Sequence, residues 1–434
     1  MSKTSMKSWL KNGGAAALLA LAGVLSASPA MALDDKKADE NSSEAKPAQT
    51  GSKLDQYDEK LSNNPDDPSA KVVFLIDISG GSSIALSVTP LKRLIEAAKR
   101  VQPDYIVLRI NSSNMRPGLD PSLGLFDGTV QQAIDRTVLI SNMLGEELRT
   151  ESGWTKKPEL IAYVNKAIGP SALLPFMCKR IYFTSNAEHG GIGYLENYLR
   201  GRADLVVLEK WRGMSRALAE GIAIKGGHDP RILRAMLRMD YTLSFTMVGG
   251  KPDFYEDLSG QEVLTDDGDP DAGRADLIDD LARGRGNDLL VLRPDVAQRI
   301  GFINGVAPTF DDLMFELGTQ RAYRTYTARS KKIISEWTAE FNKIGDSLLD
   351  LMRKYEEVEV NGQTPSERNQ QRSRAKRLLQ DRIDLVNRYR EIVGEVRDPR
   401  DERYGMVGDV DDYIADLRAE IAQIDQAIRM DRLR

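Results

Sequence analysis

Among the side chains able to do chemistry, Ser171 has the most telling surroundings. It lies in Asn165-Lys166-Ala167-Ile168-Gly169-Pro170-Ser171-Ala172, between the apolar run Leu160 to Val164 and a second run, Leu173 to Cys178. The first reads as a buried strand and the second as a buried helix. A serine at the N-terminus of a buried helix has two uses. Its hydroxyl caps the exposed backbone N–H groups, or it shares the site with an oxyanion that those groups hold. The rest of the sequence offers little competition. There is no Gly-x-x-x-x-Gly-Lys-Ser/Thr loop, no His-Glu-x-x-His and no Gly-x-Ser-x-Gly. Asp267, Asp269 and Asp271 have the alternation of a calcium loop. Ala272 stands at its glycine position and Ile278 at its closing glutamate, so an EF-hand is excluded. The one cysteine, Cys178, forms no internal disulfide and no thiolate-rich metal centre. No metal and no cofactor is expected.

Positioning Ser171 requires a scaffold, and the alternation of apolar runs predicts an α/β one. Val72 to Ile78, Asp104 to Ile110, Leu160 to Val164 and Arg180 to Thr184 are short continuous apolar runs, the pattern of strands buried on both faces. Thr89 to Arg100 places Leu91, Leu94, Ile95 and Ala98 on one helical face. Helices are also predicted near Val130 to Glu147, over Leu205 to Ala223 and over Pro230 to Leu237. Short strands come next, such as Leu243 to Val248, then a solvated loop from Leu264 to Gly286, and order resumes at Leu289 to Leu292. From about Arg321 the pattern becomes purely helical. Ile334, Trp337, Phe341, Ile344, Leu348, Leu351, Tyr355 and Val358 fall at alternating three- and four-residue spacing. A second helical stretch covers Gln370 to Val396. Val410, Ile414, Leu417, Ile421, Ile424 and Ile428 make a third seam. Such helices fold back on one another or pair between chains.

The N-terminus has the marks of a secretory leader. Lys3, Lys7 and Lys11 precede the apolar stretch Ala15 to Leu25, and Ala30-Met31-Ala32 is a small-x-small cleavage site. Residues 33–70 are rich in Asp, Glu, Lys, Ser and Asn and read as a flexible linker. The expected divisions are therefore a leader over 1–32, a linker over 33–70, an α/β domain over 71–320 and a helical coiled-coil tail over 321–434. The destination is the periplasm or the exterior, with no transmembrane segment in the mature chain. The 434-residue chain has a net charge of −5, which loss of the leader's three lysines takes to −8. That acidity excludes a general nucleic-acid binder.

The order of these elements resembles the ClpP/crotonase superfamily, and within it the periplasmic serine peptidases of the NfeD and signal peptide peptidase A type. Val72 to Gly81 with its following helix is similar to that family's first strand and helix. Asp104 to Ser112 resembles its second strand, which there ends in Ser-Pro-Gly-Gly. Ser171-Ala172 is similar to its nucleophile turn and Asn186 to Gly193 to its Gly-Ser-Ile-Gly segment. Leu290 to Ala307 resembles its closing helix and Gly-Leu-x-Asp-Gly-Ile-Ala. The likeness spans about residues 71–320. It implies a fold of repeated β-β-α units and acyl transfer from a serine. Ser171 would be the nucleophile, with Lys210 as its base and His189 as the alternative base. The oxyanion hole would draw on the N–H groups of Ala172 and of Asn114 or Met115. It further implies a polypeptide substrate or partner protein and a homo-oligomer. Two features depart from the pattern. Asn114-Met115 stand where the family has Gly-Gly, and Pro170 removes an N–H next to Ser171. They support the alternative of a catalytically inactive scaffold with the same fold. An acyl-CoA enzyme of crotonase type fits poorly with a secretory leader.

Overall fold

The apolar runs form parallel strands because each has both faces covered. In the computed structural model, residues 53–79, 88–113, 138–145, 147–148, 153–192, 205–276, 286–393 and 410–433 are described. The strands are β1 (Lys71–Ser79), β2 (Tyr105–Ser113), β3 (Glu159–Ile168) and β4 (Arg180–Gly190), all mutually parallel in that order. Along β1 successive side chains alternate between two cores. Phe74, Ile76 and Ile78 join one with Leu94, Ile106, Leu108 and Phe183. Val73 and Leu75 join the other with Val107, Ile161, Tyr163 and Tyr182. The first core is covered in part by α1 (Val88–Val101), whose apolar stripe was evident from its spacing.

Beyond β4 the chain forms α2 (Leu205–Gly226), α3 (Pro230–Leu237) and an antiparallel three-stranded sheet. That sheet comprises β5 (Leu243–Val248), β6 (Lys251–Tyr255) and β7 (Glu262–Thr265), with β5 central. The chain then returns to the main sheet. β8 (Val291–Leu292) pairs antiparallel to the end of β4, and β9 (Gly305–Val306) pairs parallel to its start, with α4 (Pro294–Arg299) between them. Helix α5 (Phe310–Glu316), closed at its N-terminus by a Thr309–Asp312 capping box, brings Leu313 and Met314 to the second core.

Three expectations about the chain's organisation need correction. First, residues 53–70 are not a free linker. Asn63 and Tyr323 exchange backbone hydrogen bonds of 3.2 and 2.8 Å, Asp58 N–H donates to Thr325 O at 2.6 Å, and Arg324 donates to the carbonyls of Pro65 and Asp67. A polar segment can satisfy a sheet edge through its backbone, which composition does not reveal. Second, the sheet does not stop near residue 320. β10 (Tyr323–Tyr326) pairs parallel to β1, and α6 (Ala328–Glu356) begins against the same sheet. The Ser330 hydroxyl donates to Leu75 O at 2.7 Å inside the protein. Third, Leu173 to Cys178 is not an α-helix. It is two short 3-10 turns, Gly169–Leu173 and Pro175–Met177, because Pro175 lacks the N–H that an α-helix would give to Ser171 O, which accepts from Leu174 instead. Of the helix expected near Val130 to Glu147, residues 138–145 are helical and 130–137 lie outside the described residues.

The remaining helices, α7 (Pro365–Arg388), α8 (Arg390–Val393) and α9 (Val410–Arg432), fold back on α6 within the chain. Trp337, Ile344, Leu348, Leu379, Ile383, Val386, Ile414 and Leu417 bury a separate core. Arg368 and Arg372 pair with Asp431 and Lys376 with Asp425, while Arg382 donates to the Tyr413 hydroxyl. Rising numbers on α7 therefore meet falling numbers on α9, and the two run antiparallel. No helix among the described residues is long and apolar enough to cross a membrane.

Candidate functional site

Ser171 sits where β3 ends, at the carboxyl edge of the parallel sheet. In open α/β sheets this is the edge where loops diverge and ligands bind. β2 ends beside it, with Ser113 paired to Ile168 in register. Both strands are irregular just before this point. The β2–β3 register shifts after Ile110, and the β3–β4 register shifts between Val164 and Lys166. Such bulges bend strand ends and re-aim the residues beyond them. Polar side chains support the bend. Thr184 Oγ1 donates to Asn165 Oδ1 at 3.0 Å, Asn165 Nδ2 donates to Asn111 Oδ1 at 3.1 Å, and Lys166 pairs with Glu188 at 3.3 Å.

The turn after β3 is buried. Ser171 is 1% exposed and Ala172 fully enclosed. The hydroxyl lies 3.1 Å from Ile168 O and 3.5 Å from Ser112 O, so its proton goes to a backbone carbonyl. It caps no helix, in keeping with the absence of one. Gly169 takes φ +74, a left-handed conformation that glycine adopts without penalty, and this lets the chain turn sharply out of β3.

His189 meets this turn through the backbone rather than through the hydroxyl. It lies on β4, is fully buried, and its Nε2 is 2.8 Å from Ala172 O. A carbonyl only accepts, so Nε2 carries the proton and Nδ1 is the bare nitrogen. Nδ1 has no hydrogen-bond partner. The ring stacks on Phe302 at 5.1 Å between centroids and lies against Phe176 and Phe183. Burial pushes its pKa down to about 4, so the imidazole is neutral over most of the pH range.

His228, just after α2, plays the matching role at the other end. Its Nε2 is 2.8 Å from Cys178 O, its ring packs against Phe176 and Phe302, and burial lowers its pKa as well. The two histidines of the chain thus hold the first and last carbonyls of the segment Ala172 to Cys178. The signal available in the sequence was only their scarcity. Phe302 was likewise missed, since nothing local marks it as the ring between them.

The other expected site residues are less fully placed. Lys210 lies on α2, with its side chain outside the described residues. Asn114 and Met115 follow β2 in sequence and lie outside the described residues, as do residues 80–87 and 193–204. Among the described residues no lysine, histidine or carboxylate hydrogen-bonds to Ser171 Oγ. The aspartate loop is closed by a cation from its own chain. Arg274 forks Asp267 at 2.6 and 2.7 Å, which holds that carboxyl down to about 2.

No protein-family description matches the chain, and no curated protein matches it. Two solved structures show a distant likeness. One is a lysine-to-alanine mutant of 1510-N, a membrane-bound stomatin-specific protease, in complex with a substrate peptide. It is 14% identical with a TM-score of 0.33, and the match covers 57% of this chain and 80% of that one. The other is a serine-to-alanine mutant of the same protease, also 14% identical, with a TM-score of 0.30 and coverage of 59% and 93%.

Proposed function

We propose that this chain is a serine peptidase of the ClpP/crotonase type, exported to the periplasm or the cell exterior, with Ser171 as its nucleophile. The observation that carries this reading is the place of Ser171, on a sharp buried turn at the carboxyl edge of a parallel sheet, beside the end of β2. That arrangement lets one strand end supply the nucleophile and its neighbour the oxyanion donors. In the reaction, Ser171 Oγ leaves its bond to Ile168 O and attacks a peptide carbonyl. Its proton passes to the base and then to the departing amine as the C–N bond breaks, and water releases the acyl group. Lys210 is the proposed base and His189 the alternative, although its imidazole makes no hydrogen bond to Ser171 Oγ and is anchored on Ala172 O. Ala172 and Asn114 or Met115 are the proposed oxyanion donors, and a homo-oligomer with a polypeptide substrate is the proposed working form.

A second reading has its own support. Ser171 is enclosed and donates to a backbone carbonyl, as a purely structural serine would. In that case the chain is an inactive scaffold. A fluorophosphonate probe applied to the protein lacking residues 1–32 separates the two. The peptidase reading expects labelling of wild type and none of Ser171→Ala or Lys210→Ala. Absence of labelling across pH 5 to 9 gives the scaffold reading.

A further inference from the structure

A cavity of about 330 Å³ opens between α1 and α6, lined by Arg93, Ala97, Arg100, Arg329, Lys332 and Glu336 with Leu54 and Ile333, and by no residue of the Ser171 turn. Its charge runs against the rest of the chain, which is net acidic. Arg93 and Arg100 stand two helical turns apart on α1, flanking Ala97. Arg329, Lys332 and Glu336 form one stripe on α6. Four cations therefore surround one cavity whose lining holds a single carboxylate. Asp55 answers Arg329 at 3.5 Å and Glu336 answers Lys332 at 3.6 Å. Arg93 and Arg100 have no acidic partner among the described residues.

A second observation points the same way. Helix α6 carries Arg329, Lys331 and Lys332 at its start and no acid in its first turn. The N-terminal end of a helix is the positive end of its dipole, so cations there are unfavourable. Asp77 of β1 answers Lys331 at 3.6 Å. A multivalent anion in the cavity would meet two exposed guanidinium groups, Arg93 and Arg100, beside the positive end of α6. Guanidinium forks suit phosphate oxygens, and the three terminal oxygens of a phosphate monoester can engage several cations at once. The lining also holds the apolar side chains of Leu54, Ala97 and Ile333, which suit an apolar organic part of the ligand.

We propose that the cleft between α1 and α6 is a binding site for a phosphate monoester with an apolar substituent, held by Arg93, Arg100, Arg329 and Lys332. Such a group is found on free metabolites and on the headgroup of a phosphomonoester lipid. The test uses the full-length protein with phenyl phosphate, and separately with vesicles of phosphatidic acid in phosphatidylcholine. Phenyl phosphate should raise the melting temperature saturably, and sodium chloride at matched ionic strength should not. In Arg93→Gln/Arg100→Gln the apparent affinity should fall at least tenfold. Lys332→Gln gives the same direction if the double variant does not fold. Sedimentation with phosphatidic acid vesicles alone, lost in the same variants, also supports the site and assigns the source to lipid. The proposal fails if neither probe binds, if chloride reproduces the shift, or if binding survives in the variants. Ser171→Ala should respond as wild type does, which keeps the result separate from the peptidase reading.

Discussion

His189 and His228 donate to carbonyls at the two ends of the segment just after Ser171, and this fixes what their removal should do. Replacing His189 by leucine leaves Ala172 O buried without a donor, a loss of about 1–3 kcal/mol. Glutamine retains an N–H and should recover much of it, as read from urea unfolding midpoints. The pH dependence has the same origin in burial. Folding holds His189 at about 4 against an ordinary value of 6.5, so between those values the unfolded chain binds more protons. The stabilisation is complete above pH 6.5 and disappears as the pH falls to 4, a change of up to about 3 kcal/mol. His189→Gln should flatten that part of the stability profile. An unchanged slope would mean that other groups govern acid unfolding. At this scale the sequence marked Ser171 and offered His189 as a base. It could not show that the imidazole faces the backbone, because that depends on the register of β4 against β3 and on Phe302, more than a hundred residues away.

The elements around the site are coupled by close backbone approach. Gly226, the last residue of α2, lies so near the carbonyl of Phe176 that an added Cβ would sit 1.8 Å from its oxygen. The same helix carries Lys210, so this contact sets the distance between α2 and the Ser171 turn. Gly226→Ala should push the two apart. The expected cost is about 1–3 kcal/mol in urea unfolding, with slower fluorophosphonate labelling if Ser171 is the nucleophile. Gly190 makes a similar approach to Leu290 O, with an added Cβ at 2.1 Å, and its φ of +141 disfavours any side chain. Gly190→Ala should break the β4–β8 pairing and cost at least as much, visible as lost amide protection at His189 and Gly190. The strands themselves were legible, since continuous apolar runs have few other uses. The bulges at Asn111 and Asn165 and the 3-10 turns were not, because a register shift leaves no periodic trace.

At the scale of the whole molecule, the helical segment after residue 320 is joined to the sheet rather than appended to it. The heptad spacing revealed α6 and the core it shares with α7 and α9. It hid the fact that Ile333 and Ile334 pack on the first core while Trp337 begins the second. A truncation ending at Gly318 therefore removes more than a tail. It deletes β10, leaving β1 from Lys71 to Phe74 as an open edge without its partner, and it strips Leu75 O of the Ser330 hydroxyl. This variant should be insoluble or lack protected amides in β1. A truncation after Val393 removes, among the described elements, α9 alone. It should leave the strands protected while α7, which loses the neighbours of Leu379 and Ile383, exchanges freely. Trp337→Ala, at the head of the second core, should cost about 3–5 kcal/mol and loosen α7 and α9 before the sheet. Hydrogen exchange by mass spectrometry reads all three. A soluble chain ending at Gly318 with β1 fully protected would show that the sheet stands without α6, and that the helices are an independent unit after all.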